Sequence, residues 1–103
     1  MSLEQLTRKR DAINAKITLF KKYLDVVATK AFLSELDLVE LHQRLDKAEL
    51  LYNEFDEVHG SIEEKIEESK SSEQIEERET FETAFYSQIS LAKIVIIQNS
   101  SKQ

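Results

Sequence analysis

Residues 38–69 read LVELHQRLDKAELLYNEFDEVHGSIEEKIEES, and this stretch decides the fold. Mostly apolar side chains recur in it at alternating spacings of three and four residues: Leu38, Leu41, Leu45, Ala48, Tyr52, Phe55, His59, Ile62, Ile66 and Ser69. This a/d pattern, sustained over about four heptads, is typical of a long helix that lies along other helices. We expect helix 2 over about residues 37–69, with a length of about 48 Å at 1.5 Å per residue. The rest of the chain must run beside such a rod.

The start of helix 2 has two candidate caps. Asp37, with Glu40 three residues later, fits an N-cap and its capping-box partner. Ser34 with Asp37 offers a second capping box, three residues earlier.

Gly60 is the one residue that argues against an unbroken helix 2, because a glycine inside a helix costs about 1 kcal/mol relative to alanine. Gly60 followed by Ser61 could also end one helix and begin another. His59 and Ile62 nevertheless keep the spacing of the preceding residues, so we expect the helix to continue through Gly60.

Helix 1 is predicted over about residues 3–30, with Ser2 as its cap and Gln5 as the box partner. Its heptad positions are Leu3, Leu6, Arg10, Ile13, Ile17, Phe20, Leu24, Val27 and Ala31. Arg10 is the one misfit, and we expect its stem to pack while its guanidinium reaches solvent. Three residues beside this seam widen the apolar arc to roughly 160°, enough for two neighbouring helices; they are Leu19, Tyr23 and Val26. The connection that follows carries Phe32, Leu33 and Leu36, which we expect to pack over the end of the molecule.

Helix 3 is predicted over about residues 73–98, after the serine-rich turn SKSSEQ at residues 69–74. Residues 99–103 are expected to be a frayed tail. The chain contains no proline and a single glycine, which favours long helices over tight turns. The predicted fold class is therefore all-α: residues 1–103 form a single helical domain, an antiparallel up-down-up three-helix bundle with long coiled-coil-like helices. A hairpin that dimerises into a four- or six-helix bundle would give the same pattern.

The net charge of −6 is unevenly distributed. Residues 1–31 carry seven Lys or Arg against three acidic residues, whereas residues 32–80 carry five against sixteen. A basic helix that packs beside an acidic one explains this asymmetry. The alternative is a matrix-like basic surface for acidic membrane or RNA, formed by Arg8, Lys9, Lys16, Lys21 and Lys22. The overall acidity weighs against it, because a negative field repels phosphates.

No residue pattern indicates catalysis, a cofactor or a metal. The chain has no cysteine, and no nucleotide-binding, nucleophile-elbow or zinc-protease motif is present. Of the two histidines, His59 has Glu63 four residues later, but a histidine packed in the seam explains that spacing better than a metal ligand. We therefore expect a non-enzymatic protein without a small-molecule substrate. The longest apolar run, residues 94–97, is far shorter than the ~20 residues of a membrane span, and no signal peptide is visible, so we expect a cytoplasmic location.

Three stretches together resemble a known family. They are RKRDAINAKITLFKKYL (8–24), LVELHQRLDKAELLYNEFDEVHGSIE (38–63) and ERETFETAFYSQ (77–88). Their order and spacing resemble the N-terminal region of Gag polyproteins of Bel/Pao-type LTR retrotransposons, or animal proteins derived from them. The resemblance implies a non-catalytic segment of proteins that self-assemble, and it assigns no catalytic or metal-binding residue.

These observations predict a helical protein–protein interaction and self-assembly module. Leu50, Ile94 and Ile97 are the candidate partner-binding residues, because the predicted intramolecular seams leave them out. A spectrin-repeat-like spacer is a further alternative, which the absence of tryptophan makes less attractive.

Overall fold

The computed structural model describes residues 1–100, which form four α-helices and no strand. The helices are α1 (Leu3–Ala28), α2 (Glu35–Glu49), α3 (Leu51–Lys65) and α4 (Ser71–Ser100), and a short 3₁₀ turn, Glu68–Lys70, precedes α4. The all-α fold class is therefore confirmed for this part of the chain. Residues 101–103, which include most of the predicted frayed tail, lie outside the described residues.

The first helix begins with the predicted capping box. The Gln5 amide donates to Ser2 Oγ at 3.2 Å, and the Ser2 amide donates to Gln5 Oε1 at 3.0 Å. The helix ends at Ala28, where the Thr29 amide donates to the Val26 and Val27 carbonyls instead of the carbonyl four residues back. One face of α1 is buried: Leu6, Arg10, Ile13, Ile17, Phe20, Leu24 and Val27. The predicted arc was too wide, since the side chains of Leu19 and Val26 are 62% and 61% exposed.

The second helix begins at Glu35, with Ser34 as its N-cap. The Asp37 amide donates to Ser34 Oγ and the Ser34 amide donates to Asp37 Oδ2, both at 3.1 Å. Asp37 is thus the box partner, and the predicted cap at Asp37 with Glu40 is wrong; Glu40 instead accepts from Arg44 at 2.9 Å. The hydrogen bonds from Ser34, backbone first, hold the pKa of Asp37 below its ordinary value.

The predicted helix 2 is interrupted at Leu50 and continuous at Gly60. The Leu50 amide donates to the Lys47 carbonyl at 3.3 Å, three residues back instead of four, so this single turn is narrower than an α-helical turn. The Glu54 amide resumes the four-residue spacing to the Leu50 carbonyl. Gly60 lies inside α3, with no positive φ. The interruption therefore falls where the apolar pattern gave no sign of it.

The α3 helix ends at Lys65, four residues before the predicted limit, and Ile66 is extended with φ −91° and ψ 159°. Residues 63–68 are mostly glutamate and lysine, so little apolar surface holds them against a neighbour. The last helix begins at Ser71 and continues to Ser100, so the predicted limits of 73 and 98 were too narrow. Asn99 belongs to the helix and donates through Nδ2 to the Val95 carbonyl at 2.9 Å.

The helices pack along one another in a molecule of 54 × 22 × 17 Å. The main core joins all four: Ile13, Ile17, Phe20, Leu24, Val27, Leu33, Leu38, Leu41, Leu45, Ala48, Leu51, Phe55, Phe81, Phe85, Ile89, Ala92 and Val95. Within this core Phe55 of α3 stacks on Phe81 of α4, with ring centroids 4.0 Å apart and ring planes 2° from parallel. Of the three residues expected to pack over the end of the molecule, Leu33 is buried, but Phe32 and Leu36 are 69% and 77% exposed, so the expectation was wrong for these two.

We predict that Gly60→Ala stabilises the protein by about 0.5–1 kcal/mol, because alanine loses less conformational freedom in a helix. A Cβ at this position meets no atom within 4 Å, so no clash opposes the gain. Urea unfolding followed by circular dichroism would show a higher midpoint at an unchanged slope. An unchanged or lower midpoint would show that the helix is not continuous at Gly60 in solution.

Candidate interaction site

A buried polar cluster joins α1, α3 and α4 beside the ring of Phe55. Arg10 Nη1 lies 3.3 Å from His59 Nδ1 and donates to Gln74 Oε1 at 2.7 Å. His59 Nε2 lies 3.0 Å from the Gln74 carbonyl oxygen. The expectation that the Arg10 guanidinium reaches solvent was wrong, because Arg10 is only 8% exposed and finds acceptors on two other helices.

The partners of His59 fix its protonation. A guanidinium only donates, so Nδ1 must accept from Arg10, while a carbonyl only accepts, so Nε2 must carry the proton. This is the neutral imidazole. Burial lowers the pKa of His59, and the nearby Arg78 and Arg10 lower it further, against the opposing effect of Glu63. The ring also stacks on Phe55, with centroids 4.9 Å apart.

Polar contacts from α4 surround this cluster. Arg78 donates to Asp56 Oδ1 at 2.8 Å and to Glu63 Oε1 at 3.4 Å. Burial lowers the pKa of Arg78, but these carboxylates outweigh that effect and raise it. Further along, the Tyr52 hydroxyl donates to Glu82 Oε1 at 2.8 Å, which raises the pKa of Tyr52 to about 12.

The arrangement holds helices together and presents no reactive group. His59 is fully buried, whereas a general base must reach a substrate. Among residues 1–100, no group of three or more His, Cys, Asp or Glu side chains is placed to hold a metal ion. Arg10 Nε has no hydrogen-bond partner within the described residues. The cluster is best explained as a polar contact that sets the register of three helices.

The predicted partner-binding residues are all at the surface. Leu50 is 60% exposed, Ile94 50% and Ile97 68%. Lys93 Nζ lies 3.9 Å from Glu49 Oε1, a contact that joins α4 to α2 one residue before Ile94 and Leu50.

Sequence reasoning missed other exposed apolar residues. Phe32, on the connection between α1 and α2, and Leu36, in the first turn of α2, are among the most exposed large apolar side chains. The signal is their clustering within five residues, which predicts packing over the core equally well. Leu19 and Val26 on α1 were likewise assigned to a wider core arc.

The basic residues of α1 are exposed but only partly available. Arg8 binds Glu4 at 2.7 Å and Lys21 binds Asp25 at 2.8 Å, each within α1. Lys9 and Lys16 border a groove between α1 and α3 that Glu54 and Glu57 also line. Lys22 lies on the outer face of the helix. The structure thus places acidic side chains beside four of the five residues of the predicted basic surface.

No helix among the described residues is both long and apolar enough to cross a membrane. Comparison of the chain with protein-family models, with curated proteins and with solved structures finds no match. The resemblance to Gag segments therefore remains a prediction that depends on the quoted stretches.

We predict that stability falls as the pH decreases from about 6.5 towards 5. The unfolded chain takes up a proton on His59 near the ordinary pKa of 6.5, whereas the folded chain keeps the ring neutral to lower pH. Below pH 6.5 the unfolded state therefore binds more protons, and stability is lost at up to about 1.4 kcal/mol per pH unit. Urea unfolding between pH 5 and 8 measures this slope.

The matched controls are His59→Gln, which should flatten the slope, and His42→Gln at an exposed position, which should keep it. A direct NMR titration of His59 in the unsubstituted protein gives the same information if His59→Gln does not fold. A His59 that titrates at or above 6.5 would contradict the neutral cluster.

Proposed function

We propose that this chain is a non-enzymatic helical module that self-assembles by burying the apolar side chains that its own core leaves exposed. The observation that carries the proposal is the exposure of Leu36, Phe32, Ile97 and Leu50, each at least 60% accessible. Single exposed apolar residues are ordinary on protein surfaces, but four large side chains as exposed as these on so small a molecule favour an interaction surface.

The finer architecture belongs to the same proposal: an antiparallel up-down-up bundle of three long helical runs with coiled-coil-like packing. Three contacts support it. Arg10, near the start of α1, contacts His59, near the end of α3, as antiparallel helices require. Tyr52, early in α3, donates to Glu82 of α4, while Glu49, three residues before Tyr52, lies near Lys93, eleven residues after Glu82. Opposite changes in residue number are what an antiparallel pair gives.

The proposal extends to the class of protein. The resemblance of residues 8–24, 38–63 and 77–88 supports a role like that of the N-terminal Gag segment of a Bel/Pao-type retrotransposon, which contributes to particle assembly in the cytoplasm. A second function, a basic surface for acidic membrane or RNA, is supported less, because Glu4, Asp25, Glu54 and Glu57 lie beside its basic residues.

We predict that Leu50→Glu and Ile97→Glu each raise the dissociation constant of self-association by about tenfold or more. Burial of such a side chain contributes about 1.5–3 kcal/mol, and a charge at the interface removes it. Sedimentation velocity and light scattering across a concentration series measure the change. Ser87→Glu, which adds the same charge at an exposed polar position of α4, is the control and should leave association unchanged.

A strict monomer at high concentration for the unsubstituted chain, indifferent to both substitutions, would overturn the proposal. Steeply salt-dependent binding to RNA or acidic vesicles by such a monomer would then favour the basic surface.

A further inference from the structure

The outer face of α1 carries a second heptad pattern, on the side opposite the core. The pattern consists of Gln5, Arg8, Ala12, Ala15, Leu19, Lys22, Val26 and Thr29, at alternating spacings of three and four residues. Every one of these residues is exposed. An outward helix face always has this spacing, so the information lies in which side chains occupy it. Leu19 and Val26 are apolar and more than 60% exposed, and Ala12, Ala15 and Leu19 form a strip without charge between Arg8 and Lys22.

The residues that flank this strip separate by charge. With Ala12, Leu19 and Val26 as a positions and Ala15 and Lys22 as d positions, the e positions are Lys9, Lys16, Tyr23 and Lys30. The g positions are Glu4, Asp11, Thr18 and Asp25. One border of the strip is therefore basic and the other acidic. Residues at e and g set the partner and the orientation of a coiled coil.

This separation of charge favours one partner for the strip, a second copy of α1, and a parallel orientation of the two helices. In a parallel pair of helices, a g residue faces the e residue five positions later on the partner. For two copies of α1, every charged pair is then complementary: Glu4 with Lys9, Asp11 with Lys16, and Asp25 with Lys30. The remaining pair, Thr18 with Tyr23, is uncharged. In an antiparallel pair g faces g and e faces e, which would place like charges together.

We propose that the outer face of α1 pairs in parallel, in register, with the same face of a second copy of this chain. This inference deepens the proposed self-assembly and rests on it, by naming one interface and its geometry. Together with the surface around Leu50 and Ile97, it gives each protomer two separate association surfaces, so assembly extends beyond a dimer.

The charged side chains of these pairs differ in whether they already have an ion-pair partner in their own chain. Lys9, Asp11 and Lys16 make no ion pair within residues 1–100, although Glu54 and Glu57 line the same groove as Lys9 and Lys16. Glu4, Asp25 and Lys30, by contrast, already bind Arg8, Lys21 and Asp37 at 2.7, 2.8 and 3.3 Å and must exchange partners. The contact between Asp11 and Lys16 of the second copy is therefore the one to test.

The same register limits the strength of the pair. In a parallel pair each d residue faces its own copy, so Lys22 meets Lys22 and Arg8 meets Arg8. These like charges oppose association, and Lys22 separates the apolar contact of Ala12, Ala15 and Leu19 from that of Val26. Replacing Lys22 by an apolar residue should therefore strengthen the pair.

Cysteine cross-linking tests the geometry, because the chain contains no cysteine of its own. Ala12→Cys and Val26→Cys are prepared as separate single variants and oxidised. The two positions are about 21 Å apart along the helix. A parallel pair in register brings each position opposite its own copy, so both variants should form covalent dimers. A two-fold antiparallel pair brings a residue opposite its own copy only at the axis, so at most one of them could.

Thr83→Cys, exposed on α4, is the control and should stay uncross-linked. Cross-linking of only one of the two α1 variants, or of neither, would overturn the parallel pair.

Charge exchange tests the selected contact. Asp11→Lys should raise the dissociation constant severalfold, and the double variant Asp11→Lys, Lys16→Asp should restore it, because the pair is complementary again. Lys22→Leu should lower the dissociation constant about tenfold, whereas Thr83→Leu, the same side chain on α4, should not. Failure of the double variant to restore association would count against the register.

The outcomes separate this inference from the function on which it rests. If Leu50→Glu and Ile97→Glu abolish association while all α1 variants leave it unchanged, the parallel pair is wrong and the proposed function stands. If the unsubstituted chain never associates and neither cysteine variant cross-links, both are wrong. Binding of RNA or acidic vesicles that Lys16→Asp removes, without dimers, would assign the face to an anionic ligand and overturn the pair.

Discussion

The structure depends on the stacking of Phe55 in α3 on Phe81 in α4. Both rings are almost fully buried, at 1% and 2% exposure. Their planes are nearly parallel, and their centroids are 4.0 Å apart. His59 extends the stack from one side, and Phe85 extends it from the other. Because α4 reaches its position through a mostly polar connection, these aromatic contacts are what align it with α3.

The polar cluster beside the stack fixes the register of the packed helices. Apolar side chains tolerate a shift along a helix more easily than hydrogen bonds do, since a displaced donor loses its acceptor entirely. Arg10 reaches His59 and Gln74 only in one register of α1 against α3 and α4. The neutral state of His59 is part of the same contact, because a protonated ring would place a second cation against Arg10.

The first helix carries apolar side chains on two faces, one buried and one exposed. Its inner face supplies core residues and Arg10, while its outer face carries Leu19 and Val26 between a basic and an acidic border. Both faces have the same three-four spacing, so the pattern alone suggested one wide apolar arc. Separating them requires knowing where the core lies. The exposure of Leu50, Ile94 and Ile97 was predictable, because those residues fall outside every intramolecular seam.

The sequence by itself determined that the chain is helical, that most of the three-four seam positions of α1 to α3 are buried, and that Ser2 and Ser34 are candidate caps. These are local properties, set by spacing and by side chains that bond within one turn. The end of α3 at Lys65 likewise follows from the scarcity of apolar residues after it. Only the structure showed that the helical run breaks at Leu50, and tertiary structure alone decided that Arg10 turns inward. Its acceptors lie on two other helices, and residues distant in the sequence, such as Gln74, leave no mark in the local pattern around Arg10.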